Sequence, residues 1–348
     1  MKKRMKRILL NLPGFEPLCR FLTRSHVRSL MYHRFADQAD GDPRFVDRDA
    51  LRWQAAYLAR NHTVVTPDDH LRSLTQPLAG HCPVVVTVDD GYRDFYTVAF
   101  PLFREYGIPA MLFVTTGFVS GQTWFWWDRL EYIKTLAASQ QTSFTIGDQE
   151  FQVDLTSEPG RHRAYHQIAD RCRFLPNEEK NQVLLQLARK LEVEVPEQAA
   201  PQYAATTWDE LREMIADGLL VGAHTINHPI LSRVPVEEAR REIVESKQVL
   251  EAQTNVSVNW FCYPQGGPAD FTPELMATVR ETGFDASYVA YQNLEAQGDP
   301  YQMGRYGIVP DLTDFRWMLC GAELLVLRLR KLFGMVSDVS PSYWSGSE

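Results

Sequence analysis

Short apolar runs alternate with amphipathic segments along much of this chain. The runs Val84–Val88, Pro109–Thr115 and Leu219–Ala223 are largely apolar at consecutive positions, and each run leads into a polar loop or a helical pattern. Consecutive apolar positions, rather than alternating ones, are typical of strands that are buried on both faces. The pattern therefore predicts an α/β fold with a mostly parallel sheet or barrel.

Further elements are predicted from the same rhythm. Thr97–Tyr106 has a helical pattern that Gly107 stops, and Thr207–Glu210 has the acidic first turn of a helix that ends at Asp217 and Gly218. The pattern also predicts helices at Val236–Gln253, Pro273–Thr282 and Asp314–Gly334, and strands at Val258–Cys262 and Asp285–Val289.

The strand and helix rhythm lapses between about residues 120 and 205. This segment begins with the aromatic run Trp124–Trp127 and continues as a polar stretch, with helices predicted at Arg161–Arg173 and Asn177–Leu191. Because strands on both sides are predicted to share one sheet, we interpret the segment as a mostly helical insertion. The predicted organisation is a basic segment 1–28, a domain 29–335 that contains the insertion, and a flexible tail 336–348.

Charge and cysteine usage narrow the classes of function. The formal net charge of -8 gives no general attraction to nucleic acid. The five cysteines form no CxxC pair, which fits a reducing compartment and predicts a cytoplasmic location. No apolar run reaches the roughly 18 residues that a spanning helix needs. The basic residues near the N-terminus fit either a solvated cluster or an interfacial helix at the inner face of the membrane.

Two adjacent carboxylates follow the strand Val84–Val88. Asp89 and Asp90 precede Gly91, at a position where functional groups gather in parallel α/β folds. Successive side chains of an extended backbone point in opposite directions, so one acid can hold a metal while the other handles a proton. A turn that caps a helix is the alternative interpretation.

Two histidines spaced four apart follow a second strand. His224 and His228 come directly after Leu219–Ala223, and Pro229 disfavours helical backbone at His228. The pair is therefore predicted to lie in a loop at a strand end. Two imidazoles and one carboxylate are a standard ligand set for catalytic zinc.

Three motifs together resemble those of the polysaccharide deacetylases, carbohydrate esterase family 4. Thr87–Gly91 resembles the family's TFDDG motif, and His224–His228 matches its H-[ST]-x-x-H motif. Phe261–Gly266 resembles its third motif in the variant FAYPxG. The order and spacing agree from Leu30 to Val309, apart from the insertion.

The resemblance implies a fold and a set of roles. The fold would be a distorted (β/α) barrel with fewer than eight strands and a metal at the carboxyl ends of the strands. Asp90, His224 and His228 would bind a divalent ion, most simply Zn²⁺, and Asp89 would be the general base. The backbone N–H of Gln265 would help to hold the oxyanion.

Two departures from the family pattern affect these roles. Cys262 stands where many members carry an arginine that orients the base, so Arg93 or Arg305 must take that part. The usual Leu-x-His motif is absent near the C-terminus. His33 lies in a segment that resembles the start of exopolysaccharide deacetylases of the poly-N-acetylglucosamine type, and it is the candidate catalytic acid. A histidine that only closes a strand is the alternative.

The implied reaction is the hydrolysis of N-acetyl groups from an amino-sugar polysaccharide or its lipid-linked precursor, which releases acetate. Trp126 and Trp127 are predicted to stack on sugar rings, although aromatics in an insertion also form cores. Tyr263 and Arg305 complete the predicted substrate contacts. A non-catalytic carbohydrate-binding relic and an amidase that acts on a non-sugar amide are the competing hypotheses.

Overall fold

Eleven strands and fourteen α-helices make up the described part of the chain. The computed structural model describes residues 3–39, 41–76, 78, 82–292, 298–308 and 310–333. The strands are β1 Arg28–Tyr32, β2 Arg34–Ala36, β3 Phe45–Asp47, β4 Val84–Val88, β5 Ala110–Val114, β6 Gln141–Ile146, β7 Gln149–Asp154, β8 Leu220–Ala223, β9 Trp260–Cys262, β10 Ala286–Tyr288 and β11 Tyr306–Gly307.

The α-helices are mostly short and amphipathic. They are α1 Lys3–Leu10, α2 Phe15–Leu22, α3 Arg48–Asn61, α4 Pro67–Ser73, α5 Phe100–Glu105, α6 Thr116–Val119, α7 Trp126–Leu136, α8 Glu158–Cys172, α9 Asn177–Lys190, α10 Trp208–Ala216, α11 Val236–Thr254, α12 Pro273–Glu281, α13 Leu312–Leu319 and α14 Ala322–Leu332. No helix in this part of the chain combines the length and the apolarity that crossing a bilayer requires.

Seven parallel strands form one curled sheet in the order β10-β9-β8-β5-β4-β1-β11. The segment 303–308, which contains β11 at one end of this sheet, also bonds to β10 at the other end. On one side the N–H of Met303 donates to the carbonyl of Ser287 at 3.0 Å, and on the other side the N–H of Ile308 donates to the carbonyl of Met31 at 3.1 Å. The predicted distorted barrel with fewer than eight strands is confirmed, and all residues of β4 and β5 are buried as the apolar runs indicated. Strand β1, which was not predicted from an apolar run, is buried as well.

Most predicted elements are present with shifted ends, and local chemistry explains the shifts. The helix predicted from Thr97 is α5, and a π-helical turn at Phe95–Ala99 precedes it. Pro101 cannot donate the hydrogen bond that a regular α-helix would need at this point. The strand predicted from Val258 begins only at Trp260, because the N–H of Val258 donates to the Glu251 carboxylate instead of to a neighbouring strand.

The insertion contains an element that was not predicted. An antiparallel hairpin of β6 and β7 lies between helices α7 and α8, so the insertion is only partly helical. The alternating pattern of Phe144 and Ile146 before Gly147 is the strand signal in the sequence. The insertion has a hydrophobic core of its own, formed by apolar side chains of α7, the hairpin, α8 and α9.

The C-terminal helix predicted over Asp314–Gly334 is divided. Helix α13 ends before Gly321, which has a positive φ of 87°, and α14 begins directly after it. A Cβ on Gly321 would collide with the side chains of Thr23 and Arg28, so a glycine is required where the chain turns. The predicted flexible tail 336–348 lies outside the described residues.

The insertion core provides a test of how the insertion contributes to stability. Phe144 is 5% exposed in that core, whereas Phe174 is 56% exposed. We expect Phe144→Ala to lower the free energy of unfolding in urea by about 3–5 kcal/mol. The control Phe174→Ala should change it by less than about 0.5 kcal/mol. A separate early transition in Phe144→Ala, with the main transition unmoved, would show that the insertion folds as an independent unit.

Candidate metal centre and active site

The two adjacent acids lie in a tightly bonded turn at the carboxyl end of β4. Asp89 still follows the sheet, because its N–H donates to the carbonyl of Tyr32 at 3.0 Å. Asp90 has a positive φ of 79° and Gly91 has a φ of 99°, so the chain turns sharply here. The carbonyl of Asp90 accepts from the N–H of Thr115 at 3.2 Å. The turn therefore holds the two buried carboxylates in fixed and different directions.

Asp90 lies beside both histidines of the second motif. Its Oδ1 is 3.7 Å from Nε2 of His224 and 3.5 Å from Nε2 of His228. The Nδ1–H of His224 donates to the carbonyl of Cys262 at 2.7 Å, which leaves Nε2 directed at Asp90. The turn after β8 includes Thr225 and His228 at positive φ, and the N–H of His228 donates to Oγ1 of Thr225 at 3.0 Å. The structure thus brings the three predicted metal ligands together.

The chemistry of this cluster fits a divalent cation. Oδ1 of Asp90 is buried and has no hydrogen-bond partner within the described chain. Burial, together with the charges of Asp89 and Asp128, raises the pKa of Asp90 well above its ordinary value. Burial lowers the pKa of His224 to about 4 and also lowers the pKa of His228, so both imidazoles are neutral near pH 7, as metal binding requires.

The donor spacing also fits zinc. Four ligands at about 2.0–2.1 Å in a tetrahedron lie about 3.3–3.5 Å apart, close to the spacing of Asp90 from the two histidines. Asp89, His224 and Cys262 form a second cluster of similar size. That cluster is a poor cation site, because Asp89 already pairs with a guanidinium and burial raises the pKa of the Cys262 thiol well above its ordinary value.

Asp89 is held by a buried arginine from the other end of the chain. Nη1 and Nη2 of Arg305 donate to the two carboxylate oxygens of Asp89, each at 2.7 Å. Burial opposes the charge on Asp89, but the ion pair with Arg305 outweighs it and holds the pKa below its ordinary value. Nη2 of Arg305 also lies 2.9 Å from Sγ of Cys262, the residue that replaces the arginine of the family motif. Arg93 instead pairs with Glu210 at the surface.

His33 lies beside Asp89. Its Nε2 is 3.9 Å from Oδ2 of Asp89, and its side chain is 31% exposed. Burial, assisted by Arg305 and opposed by Asp89, lowers the pKa of His33. The histidine predicted as the catalytic acid is therefore close enough to exchange a proton with the predicted base after a small movement or through one water.

Gln265 lies in the loop after β9, in a left-handed conformation with a φ of 59°. Its N–H donates to no oxygen within the described part of the chain. The next residue, Gly266, accepts a hydrogen bond at its carbonyl from Ala290 and leaves no room for a Cβ. The loop is therefore rigid around a backbone donor that is available for a ligand.

Tyr263 and Arg305 require a revision of the predicted substrate contacts. Tyr263 is buried and its hydroxyl accepts from Oγ of Ser287 at 3.2 Å. The side chain of Arg305 is 0% exposed, and its donors are used by Asp89 and Thr87. Because both side chains are buried, neither is placed to contact a sugar. Both instead pack beneath the site and support it.

The two tryptophans predicted to stack on sugar lie in different surroundings. The ring of Trp127 stacks on Phe125 with centroids 4.5 Å apart and meets the edge of His228 at 5.1 Å. The ring of Trp126 packs against the insertion core, with the Lys180 ammonium 5.6 Å from its centroid. Of these two tryptophans, Trp127 is the one whose ring meets a candidate metal ligand, His228.

One buried glutamate with a clear role was not predicted. The carboxylate of Glu242, on α11, accepts from the N–H groups of Ile226 and Asn227 at 2.8 and 2.9 Å and from Nδ2 of Asn227 at 2.8 Å. It therefore holds the loop between the two histidines. The sequence does carry a signal, because Glu242 lies on the same helix face as buried Ala239 and Ile243.

A second unpredicted network joins the insertion to the acid turn. The hydroxyl of Tyr92 donates to Oδ2 of Asp128 at 2.6 Å and accepts from Nε1 of Trp127 at 3.0 Å. Arg34 lies 3.9 Å from the other oxygen of Asp128. Burial raises the pKa of Asp128 from an ordinary 3.8 to about 7, although Arg34 and Tyr92 oppose the rise. The first turn of α7 is thereby fastened to the turn that carries Asp90.

The contacts of Glu242 predict that it supports metal binding without touching the metal. In Glu242→Gln one acceptor oxygen becomes a donor that faces the N–H groups of the loop. We expect the zinc dissociation constant, measured by competition with a chromophoric chelator, to rise about 10- to 100-fold. The control Glu245→Gln changes an exposed residue of the same helix and should leave it unaltered. Equal constants for both variants would show that the loop keeps its shape unaided.

The pKa of Asp128 predicts a pH-dependent stability. A carboxyl whose pKa is raised on folding stabilises the protein at low pH, and this contribution is lost as pH rises through about 7. Asp128→Asn cannot ionise. Relative to wild type it should therefore gain a few kcal/mol in free energy of unfolding between about pH 4 and about pH 8. Exposed Asp148→Asn should track wild type at every pH, and a pH-independent difference for Asp128→Asn would contradict the assignment.

Solved structures of bacterial deacetylases share this fold. The deacetylase PplD of Streptococcus pyogenes has 17% identity and a TM-score of 0.56, and the match covers 86% of this chain and 99% of that one. IcaB of Ammonifex degensii has 19% identity and a TM-score of 0.55, with coverage of 85% and 97%. A de-N-acetylase of Aggregatibacter actinomycetemcomitans has 15% identity and a TM-score of 0.50, with coverage of 83% and 99%.

The sequence itself matches the family model for polysaccharide deacetylase over residues 79–144 and 175–287. These ranges include the acid turn, both histidines and the loop after β9. The gap between them falls inside the insertion and contains the end of β6, all of β7 and helix α8. More than half of the chain is matched, in the order in which the barrel strands occur, and the protein therefore belongs to the polysaccharide deacetylase family.

Proposed function

We propose that this protein is a metal-dependent hydrolase that removes N-acetyl groups from an amino-sugar polysaccharide or from its lipid-linked precursor. Family membership supports deacetylation of a polysaccharide. One observation carries the metal dependence: a buried carboxylate oxygen of Asp90, which has no hydrogen-bond partner among the described residues, lies 3.5 and 3.7 Å from two neutral imidazoles. Beside it, Asp89 is ionised and held rigidly by Arg305.

Asp90, His224 and His228 would hold the ion, and their mixed nitrogen and oxygen donors suit Zn²⁺. When bound, such an ion polarises the acetyl carbonyl and makes a water in the site more acidic. The three residues lie in the turns after β4 and β8, and three protein ligands are the usual number in a catalytic zinc site.

Asp89 would accept a proton from the attacking water as the new C–O bond forms. Its two hydrogen bonds to Arg305 fix the carboxylate and keep it ionised, and its remaining lone pairs are free to accept the proton. The N–H of Gln265 would donate to the oxyanion that develops on the acetyl oxygen. Both groups are held before substrate arrives, so little reorganisation is needed at the moment of reaction.

His33 would complete the reaction by donating a proton to the leaving nitrogen as the C–N bond breaks. Since its pKa is lowered, it is largely neutral at rest, and Asp89 lies 3.9 Å away and can supply the proton. The water proton would thus pass through Asp89 and His33 to the amine. The products are acetate and a free amino sugar, and the protein returns to its starting protonation state.

The sugar would lie over the exposed part of Trp127, which adjoins His228. An aromatic face next to a metal ligand suits the apolar C–H face of a pyranose ring. Trp126 would contribute only through the insertion core. A cytoplasmic location, in which the enzyme acts during assembly of a surface polysaccharide, remains our proposal on the basis of the unpaired cysteines.

The separate roles predict separate losses of turnover and zinc affinity. With N-acetylglucosamine oligomers as substrate, chelator-treated protein should release acetate only after zinc or cobalt is restored. Asp89→Asn and His33→Ala should lose about 10²- to 10⁴-fold in turnover while they retain zinc, whereas His224→Ala should lose both. His166→Ala, in the insertion, is the control and should behave as wild type. Circular dichroism establishes that each variant is folded.

Two outcomes would contradict the proposal. Metal-independent release of acetate would remove the role of Asp90, His224 and His228. Tight zinc binding with no acetate release from any N-acetylated oligomer would point to a small amide as substrate or to a binding protein.

A further inference from the structure

Helices α1, α2 and α14 carry an unusual concentration of exposed apolar side chains. Of the fourteen large apolar residues that are exposed among the described residues, nine belong to these helices or lie within two residues of their ends. They are Met5, Ile8, Leu12, Leu18, Phe21, Leu22, Leu329, Leu332 and Phe333. We call the outer faces of α1, α2 and α14 the basic apolar surface, because of the charges described next.

The charge of this surface is opposite to that of the rest of the protein. The segments 3–24 and 322–333 contain nine lysines and arginines but only two acidic residues, in a chain whose formal net charge is -8. Both acids are engaged in the protein. Glu16 is buried and pairs with Arg316, and Glu323 accepts from Nε2 of Gln292. The exposed charges of the basic apolar surface are therefore almost all positive.

The three helices are firmly placed by their inner faces. Leu10 and Cys19 pack with Trp317, Cys320 and Ala322 in one buried cluster. Lys3 and Lys6 of α1 pair with Asp311 and Asp314 at the start of α13, at 2.7 and 2.6 Å. Because the inner faces are already filled, the exposed apolar side chains are not the unpacked half of a loose helix.

We propose that the basic apolar surface binds the face of an anionic phospholipid bilayer. Apolar side chains of this size enter the boundary between headgroups and acyl chains, while lysine and arginine pair with headgroup phosphates. A second copy of the chain is a poorer occupant, since two such surfaces in contact would bring like charges together. The positive charge of the basic apolar surface therefore favours an anionic bilayer as its partner.

The position of this surface determines how the candidate active site would face relative to a bound bilayer. The carbonyl of Arg20, on α2, accepts from Sγ of Cys82 just before β4, and Gly321 abuts Arg28 at the start of β1. These contacts lie at the amino ends of the barrel strands, whereas Asp89 and Asp90 lie at the carboxyl ends. A five-residue strand spans about 17 Å, so docking would hold the site at least that far from the lipid. If the proposed function holds, a docked enzyme would act on sugars distant from any lipid anchor.

Flotation with liposomes, without substrate, tests the inference independently of catalysis. We expect the full-length protein to float with phosphatidylcholine vesicles that contain phosphatidylglycerol, and not with pure phosphatidylcholine, with binding that declines as salt rises. The double change Arg330→Glu with Lys331→Glu should weaken binding at least about ten-fold. Leu18→Glu should also weaken it.

Leu136→Glu is the matched control, because Leu18 and Leu136 are each 56% exposed and Leu136 lies in the insertion. Leu136→Glu should bind vesicles as wild type does, and all variants should release acetate from soluble oligomers at the wild-type rate. Absence of flotation with anionic vesicles, or equal loss in Leu18→Glu and Leu136→Glu, would overturn the proposal. A dimer in analytical ultracentrifugation that Leu18→Glu dissociates, without vesicle binding, would assign the surface to self-association instead.

Discussion

The buried ion pair between Asp89 and Arg305 is the interaction on which the rest of the site depends. It joins the turn after β4 to the segment that closes the barrel, across 216 residues of sequence. A buried charge is costly unless it is paired and hydrogen-bonded, and here both carboxylate oxygens are satisfied. The backbone of Arg305 is fixed as well, since its N–H donates to the carbonyl of Tyr291 at 3.0 Å. The same contact of Arg305 therefore links the closure of the barrel to the orientation of the candidate base Asp89.

A second constraint is the backbone conformation of the loops around this pair. Asp90, Thr225, His228 and Gln265 all have positive φ, which non-glycine residues rarely adopt. Such conformations persist only where the surroundings over-determine them, and they concentrate at functional sites. Here Glu242 and the strand ends supply that support. The result is a set of donor atoms whose positions are set before any ligand binds.

The insertion contributes to the site through a short polar chain rather than through its core. Asp128 and Trp127 meet at the hydroxyl of Tyr92, three residues from the acid turn's start at Asp89. A structural change in the insertion would therefore reach Asp90 and His228 directly. The basic apolar surface is built on other helices, at the opposite ends of the strands, so contacts there do not involve the loops that carry Asp90, His224 and His228.

The sequence alone determined the features that depend on local pattern. Continuous apolar runs predicted the buried strands β4, β5 and β8, and turn residues with chemically active side chains marked the ends of β4 and β8. The resemblance of three motifs added the barrel and the family, because the order of the motifs and their spacing between successive strands can be read directly from the sequence. The alternating apolar residues of β6 and β7 were also a recognisable strand signal, although the segment was interpreted as mostly helical.

Only the tertiary structure decided which groups pair. The sequence left Arg93 and Arg305 as equal candidates to orient Asp89, and it assigned Arg305 and Tyr263 to the substrate. Burial resolved both questions, since Arg305 lies inside the closed barrel and Arg93 lies at the surface. Glu242 likewise acquires its role only where α11 packs against the loop of His224 and His228. Burial and charge pairing arise between segments distant along the chain, and no local pattern of residues records which of those segments will meet.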